Sequence, residues 1–459
     1  MDDVDLVVIG LGPGGEALAN GAAQAGLKVV AVEKHLVGGE CPYYGCIPSK
    51  MMVRAADSLA EAARVGELAG KVTVTPHWAP VAKRISEQAT DAWNDKVAVD
   101  RLVDAGATVI HGTARLAGPG RVDVSLADGQ IRSFNAGRGV VLNPGTRPAV
   151  PPVDGLAGTP YWTNREVVQV TELPTSLVVL GGGPIGCELA QVFARFGVQV
   201  TIVQYADRLL PANEPEAGQL LEDVFISEGI RVLTGAETTS VSYADGVFTL
   251  TLATAEQVVA DKLLVAAGRT PNLDDLGLGT VGLDPAARHL DVDDRLRVQG
   301  ASTDLWGLGD VTGKGAFTHV AMYQSAIALR DVLGEDGPPA SYHALPHVTF
   351  TDPEVAGVGM SEKQARDAGL QVRIGTTLLE HSSRGFIHGP GARGLIKVVE
   401  DADRGVLVGA TVVGPAGGEI LGFLAVAVHA GVPVATLSTM IYAYPTFHRA
   451  IENALADLS

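Results

Sequence analysis

The segment GGECPYYGCIPSK, residues 38 to 50, sets Cys41 and Cys46 five positions apart, with Pro42 and Gly45 between them and Lys50 four positions further on. Two thiols so placed can form a structural staple, clip a metal, or serve as a disulfide that opens and closes. In a regular α-helix, Cα atoms five positions apart are about 8 Å apart or more, beyond the roughly 4.4–6.8 Å a disulfide spans. A bridge here therefore needs an irregular turn, which Pro42 and Gly45 can supply. The loop closed would hold six residues, and the chain-entropy account gives it only about 2 kcal/mol, little beside a fold of 459 residues. A zinc clip needs further ligands; of the three cysteines the remaining one, Cys187, stands in a glycine-rich helix start and reads as core, so no metal site is expected. Reversible thiol chemistry fits best, with inert buried thiols or metal binding as rivals. Lys50 and a helix starting after Pro48 both favour a thiolate.

The elements that must position this segment show an internal repeat. DLVVIGLGPGGEALA is a short apolar strand running into Gly10, Gly12 and Gly15 and then a helical pattern, followed by GLKVVAVEK, a strand ending at Glu33 with Lys34 after it. SLVVLGGGPIGCELA repeats it with Gly181, Gly183 and Gly186, and GVQVTIVQ ends at Gln204. The end residue lies 33 − 10 = 23 positions past the first glycine in one copy and 204 − 181 = 23 in the other. In such a unit the first glycine makes the tight turn, the second lets backbone approach a pyrophosphate, and the third lets helix pack on strand. The helix N-terminus then faces the phosphates. The spacing predicts two dinucleotide sites, with Glu33 accepting a hydrogen bond from a ribose hydroxyl or, more plainly, ending a strand as an exposed carboxylate. At the second site neutral Gln204 removes a charge that would repel a 2′-phosphate, and Arg208 follows; this leans toward NADPH, although a neutral amide also admits NADH and Arg208 can be a solvated surface charge.

Composition bounds the rest. The chain has 46% hydrophobic residues and material for about three domains. A net charge of −18 opposes nucleic acid and anionic lipid. Few cysteines, an N-terminus that enters a strand pattern at once, and no clean apolar run of about 18 residues make a cytoplasmic protein without a membrane span the expectation. Proline-rich breaks at 147–160 and 336–340 mark boundaries, and the chain beyond the second reads as a separate α+β layer with an apolar helix that needs a partner.

Taken with these motifs, GGECPYYGCIPSK resembles the active-site signature of the class I flavoprotein disulfide reductases, the family of dihydrolipoamide dehydrogenase, glutathione reductase and mercuric reductase. VVLNPGTRP, with Gly145, and LLVAAGRTPN, with Gly268 and Arg269, resemble its two crossings between domains. LWGLGDV, with Gly309 and Asp310, resembles its second FAD motif, and LPHVTFTDPEVAGVGMSE the opening of its interface domain. The resemblance implies an α/β fold: two Rossmann-like FAD- and NAD(P)-binding domains plus a C-terminal α+β dimerisation domain. The implied boundaries are 1–149 with 269–338 for FAD, 150–268 for NAD(P)H, and 339–459 for the homodimer interface. Cys46 would be the charge-transfer thiolate near the flavin and Cys41 the interchange thiol. Lys50 and Glu188 would form an ion pair beside the flavin, Asp310 would hold the ribityl chain, and His319 would line the flavin or fill a cleft wall. Glu188 as a plain first-turn helix acid is the alternative.

One departure bears on the acceptor. Where the family's disulfide-handling members carry histidine and, five residues on, glutamate, this chain carries Tyr444 and Arg449, in YAYPTFHRAIENAL. An unperturbed histidine shuttles protons near neutrality, whereas tyrosine is about 0.1% ionised at pH 7. His448 and Glu452, four apart on a helical pattern, form either a displaced dyad or an ordinary surface pair. The expected activity is electron transfer from NAD(P)H through FAD and the cysteine pair to a small disulfide, persulfide or related acceptor. Lipoamide, mercury or other metal ions and quinones are alternatives, and a thiol-based redox sensor is a rival of another class.

Overall fold

The computed structural model describes residues 1–459. Two strand–helix–strand repeats organise it. The first is β1 (Asp2–Ile9), α1 (Pro13–Gln24) and β2 (Val29–Glu33), followed by α2 (Glu40–Tyr44) and the long α3 (Cys46–Leu68). The second is β3 (Ser176–Leu180), α4 (Pro184–Arg195) and β4 (Gln199–Val203), and α5 (Thr318–Leu333) comes later. The chain groups into two compact units. Unit 1 comprises residues 1–48, 83–149 and 269–341, and unit 2 comprises 49–82, 150–268 and 342–459.

Unit 1 is built on a seven-stranded sheet. Thr108–His111, β2, β1 and Ile131–Leu142 run parallel in that order, Leu305–Gly307 pairs with the last of them, and Arg121–Ser125 and Thr113–Gly118 continue antiparallel. Successive side chains of a strand point to opposite faces. Leu6 and Val8 of β1 accordingly pack with Leu18 and Ala22 of α1 and Ile327 and Ala328 of α5. Val7 and Ile9 pack on the other face with Val122, Val124 and Phe134. Covered on both faces, the strand is apolar without alternation; each such side chain contributes about 1.5–3 kcal/mol by leaving water.

Unit 2 holds three sheets, one parallel and two antiparallel. Arg231–Leu233, β4, β3 and Lys262–Val265 form a four-stranded parallel sheet, with a three-stranded antiparallel sheet made of Thr238–Ala244, Val247–Leu252 and Gln257–Ala260. Residues 346–414 form a five-stranded antiparallel sheet. The apolar helix Gly417–Ala430 finds its cover there: Ile420, Leu421, Leu424 and Val428 pack with Val358, Val398 and Val412. Residues 49–82 belong to unit 2 because α3 pairs with α4 and because the buried Trp78 donates its indole N–H to Val170 O and lies against Phe193 and Phe196. No helix is long and apolar enough to cross a membrane.

Candidate active site

The cysteine segment folds as its composition requires. A short helix carries Cys41 and stops at Tyr44; Gly45, at φ −133° and ψ −115°, breaks it, and a Cβ there would sit 3.2 Å from Glu40 O. The next helix begins at Cys46, not after Pro48. Pro48 is tolerated because N–H groups in a first turn have no helical acceptor to lose.

The two cysteines are not bridged; Cys46 is exposed and Cys41 half-buried, and the two sulfurs are close enough to act on each other. The hydrogen bond to the Cys46 sulfur, followed by burial, pushes the Cys41 thiol far above its ordinary range, against a smaller opposite pull from the Thr318 hydroxyl. Thr318 Oγ1 also lies 3.4 Å from Cys46 Sγ. The Cys41 proton is thus held tightly, while Cys46 stands at a helix start, a place that favours a thiolate. Thr318 escaped the sequence reading, although it stands in the FTHVA segment beside His319, whose ring stacks on Phe317 with centroids 5.1 Å apart. Cys187, by contrast, is fully buried, donates to Gly182 O, and is raised by burial into an inert thiol.

Unit 1 presents a cradle of dinucleotide type. Gly10 has φ +88°, and a Cβ on it would lie 2.3 Å from Asn143 O; one on Gly15 would lie 2.1 Å from Gly10 O. Only glycine meets both demands. Gly12 caps α1 with no side chain, and Pro13 at N1 gives up no needed N–H, so the helix start stays open to an anion. Glu33 is buried: its carboxylate accepts from Leu11 N at 2.7 Å and His35 N at 2.8 Å, while Lys34 is exposed. Asn143, absent from the expected residues although it stands in VVLNPGTRP, donates to Gly10 O at 3.2 Å. Gly145 follows two positions on. Thr146 was missed as well: its hydroxyl donates to Asp310 Oδ2 at 2.6 Å and accepts from Arg269 Nε at 2.6 Å. Asp310 and Gly309 sit in the short turn Gly309–Thr312. These residues fit FAD: an uncapped helix start for pyrophosphate, Glu33 for a ribose, and Asp310 for a polyol chain.

Unit 2 repeats the cradle with altered chemistry. A Cβ on Gly181, at φ +116°, would lie 2.4 Å from Ala266 O, and one on Gly186 2.0 Å from Gly181 O; Gly183 caps α4 without a side chain. Gln204 Oε1 accepts from Gly182 N at 3.0 Å, as Glu33 does from Leu11, while its Nε2 donates to Arg208 O at 3.3 Å. Arg208 donates to Pro211 O at 2.8 Å, and its Nε is buried without a partner. Gly268 is exposed. This open helix start with a neutral strand-end residue fits a nicotinamide dinucleotide. In the same unit Lys50 Nζ and the buried Glu188 Oε2 pair at 2.5 Å.

The C-terminal segment carries no histidine–glutamate pair. Glu452 pairs with Arg449 at 3.0 Å, not with His448, whose ring lies 5.8 Å from that of Tyr442. Arg449 also donates to Tyr442 O and sits 5.7 Å from the Tyr444 ring, which is 69% exposed.

Comparison with known proteins agrees with this geometry. Residues 4–325 match the pyridine nucleotide-disulphide oxidoreductase family and residues 345–455 its dimerisation domain. The chain is 34% identical to a dihydrolipoyl dehydrogenase of Thermus scotoductus over 475 residues, covering 100% of this chain and 98% of that protein. It is 34% identical to a mercuric reductase of Acidithiobacillus ferrooxidans, covering 98% and 82%. The solved Cu(II) complex of the HOCl-induced flavoprotein disulfide reductase RclA from Escherichia coli superposes with a TM-score of 0.86 at 26% identity over 99% of both chains.

Proposed function

The chain belongs to the pyridine nucleotide-disulphide oxidoreductase family, and from that premise we propose that it uses the Cys41–Cys46 pair to reduce a small thiol-reactive acceptor rather than lipoamide. It is an oxidoreductase whose cofactors are FAD and NAD(P)H. Bound FAD supplies the relay between a two-electron hydride donor and a dithiol. NAD(P)H, a proton and the 41–46 disulfide give NAD(P)⁺ and the dithiol; the dithiol and an acceptor disulfide give two product thiols and restore the bridge. The protein is a homodimer, a reading supported by the match of residues 345–455 to a dimerisation domain, and works in the cytoplasm.

The observation that carries the acceptor reading is the proton arrangement. Cys41 attacks the acceptor and must first lose a proton that its surroundings hold tightly. With Tyr444 and the Arg449–Glu452 pair at the C-terminus, the base within reach of Cys41 is the sulfur of Cys46 itself. A proton passed between two sulfurs suffices for an acceptor with a good leaving group, such as a low-molecular-weight disulfide or a persulfide. It suits poorly a dithiol substrate, which needs a separate base to take up the protons it releases. Lys50 and Glu188 orient one another on the nicotinamide side, and Gln204 with Arg208 tilts the choice toward NADPH.

A panel of lipoamide, small disulfides, persulfides, quinones and metal ions, run with both nicotinamides, tests this. Small disulfides or persulfides should lead, and turnover of lipoamide at the highest rate would reject the reading. A metal-ion acceptor is the second reading, favoured by the Cu(II) complex of the RclA relative and by an exposed Cys46 thiol. It requires copper turnover to depend on Cys46; direct transfer that bypasses the thiols would survive Cys41→Ser and Cys46→Ser together.

A further inference from the structure

Within unit 2, α3 and α4 meet along a polar seam with a seven-residue step. Lys50, Asp57 and Arg64 lie on α3, and Glu188 and Arg195 on α4. Lys50 pairs with Glu188, Asp57 with Arg195 at 2.8 Å, and the signs along α3 alternate so that each charge meets its opposite. Arg64 reaches the segment that runs along the seam, donating to Asp352 Oδ2 at 2.7 Å. Arg195 donates to the same oxygen at 2.8 Å. Gln191, one turn before Arg195 and only 3% exposed, brackets the Asp352 peptide: its Oε1 accepts from Asp352 N and its Nε2 donates to Asp352 O, both at 2.8 Å. Asp352 is therefore held at four points by side chains of two helices, at its N–H, its C=O and twice at its carboxylate, and Arg195 is fixed in turn by its pair with Glu228.

Two residues earlier the same segment touches the ion pair. Phe350 N–H donates to Glu188 Oε1 at 2.9 Å, using the carboxylate oxygen that Lys50 leaves free, and the Phe350 ring lies 4.8 Å from Lys50 Nζ. A buried carboxylate with one oxygen on an ammonium and the other on a backbone N–H has a fixed orientation. Ordinary packing does not call for so many charged groups at this depth, because each must be desolvated and then satisfied.

We infer that Asp352, gripped by Arg64, Arg195 and Gln191, is a positioning residue for the Lys50–Glu188 pair, acting through the Phe350 N–H and ring. The inference rests on the reading that this pair serves the reaction with NAD(P)H. Asp352 touches no reacting atom; its charge sets where the 350–352 backbone lies, and that backbone sets the carboxylate.

The test uses the full chain with its cofactor. Asp352→Asn keeps the side-chain shape and the peptide contacts with Gln191 while removing the charge that holds two guanidinium groups. Amide hydrogen exchange at Phe350 should quicken about tenfold as the segment loosens, and reduction by NAD(P)H should slow about tenfold, the worth of one charge-assisted contact. In a Glu188→Gln background Asp352→Asn should slow reduction no further, because groups acting through one another are not additive. A merely structural role predicts losses that multiply. Arg64→Gln, which leaves Arg195 in place, gives the same signs at about threefold and carries the test if Asp352→Asn does not fold. Wild-type exchange at Phe350 in both variants, or losses that multiply with Glu188→Gln, overturns the proposal. If Glu188→Gln alone is reduced at the wild-type rate, the pair has no part in the reaction, and the reading falls together with the proposal.

Discussion

The two glycine-turn repeats solve one backbone problem and then part company. Each has a first glycine at positive φ pressed against a crossing strand and a third glycine pressed against the first. Each also ends its second strand in a residue whose side-chain oxygen accepts from the N–H following the first glycine. The difference lies in what hangs on that frame. Glu33 brings a charge to the end of β2, whereas Gln204 brings a neutral amide already engaged with Arg208 O. α1 buries mostly small apolar residues, Ala19, Ala22 and Ala23 among them, while α4 buries Glu188 and Gln191 and engages Arg195 on a polar seam. Backbone geometry makes the two cradles alike; single side chains make them chemically different.

The strongest way to break the comparison is at the glycines. A Cβ at 2.3–2.4 Å from a carbonyl oxygen cannot be accommodated, and the strained φ adds about 1–3 kcal/mol. Gly10→Ala should purify without flavin colour. Gly181→Ala should keep its flavin and be reduced by NAD(P)H at least a hundredfold more slowly; absorbance spectra and stopped-flow mixing read both. If Gly181→Ala also loses flavin, the two cradles are not independent.

Exchanging the strand-end residues is milder. Glu33→Gln keeps one of the two backbone N–H bonds in neutral form and loses the other, because an amide NH2 cannot accept; at about 1–2 kcal/mol this should weaken flavin retention roughly tenfold by equilibrium dialysis. Gln204→Glu introduces a carboxylate that repels a 2′-phosphate, so the ratio of kcat/KM for NADPH over NADH should fall about tenfold. An unchanged ratio would place selectivity elsewhere than Gln204.

The polar seam of α4 gives the smallest and most specific effect. Burial, opposed by Arg195, raises Asp57 from its ordinary value to about 6. A carboxyl raised in the folded state binds its proton more tightly there than in the unfolded chain. Its contribution to stability is complete below the unfolded value and declines as pH rises through about 6. The Tm of the wild type should therefore drop, relative to that of Asp57→Asn, between pH 4 and pH 7. A constant difference across that range would contradict the burial argument.

How far this could be read from sequence follows from the range of the interactions. The glycine turns and the strand-end residues lie within 23 positions of each other and obey local rules, so both cradles were legible. The broken helix between Cys41 and Cys46 was legible for the same reason, since Gly45 announces it; the start of α3 two residues before Pro48 was not, because proline is compatible with the first turn as well as with the approach to it. Thr318 and Asn143 were invisible, as each acts on a group more than 130 positions away. The seam was hidden more thoroughly. The family resemblance implied the Lys50–Glu188 pair, but Asp57 and Arg64 look like the solvated face of an amphipathic helix, and only folding shows them engaged with Arg195 and Asp352. His448 and Glu452 stand at the right spacing for a dyad, yet Arg449 lies nearer to that carboxylate and takes it.

The seven-residue step of the seam also limits how this chain can change length. One residue inserted in α3 between Lys50 and Asp57 would rotate the two halves of the helix by about 100° against each other. Either the ammonium or the Asp57 carboxylate would then swing away from α4. Surface loops elsewhere can lengthen and shorten freely, but this stretch must keep its count, so related chains that insert or delete a residue here should also have lost the opposing charges on the other helix.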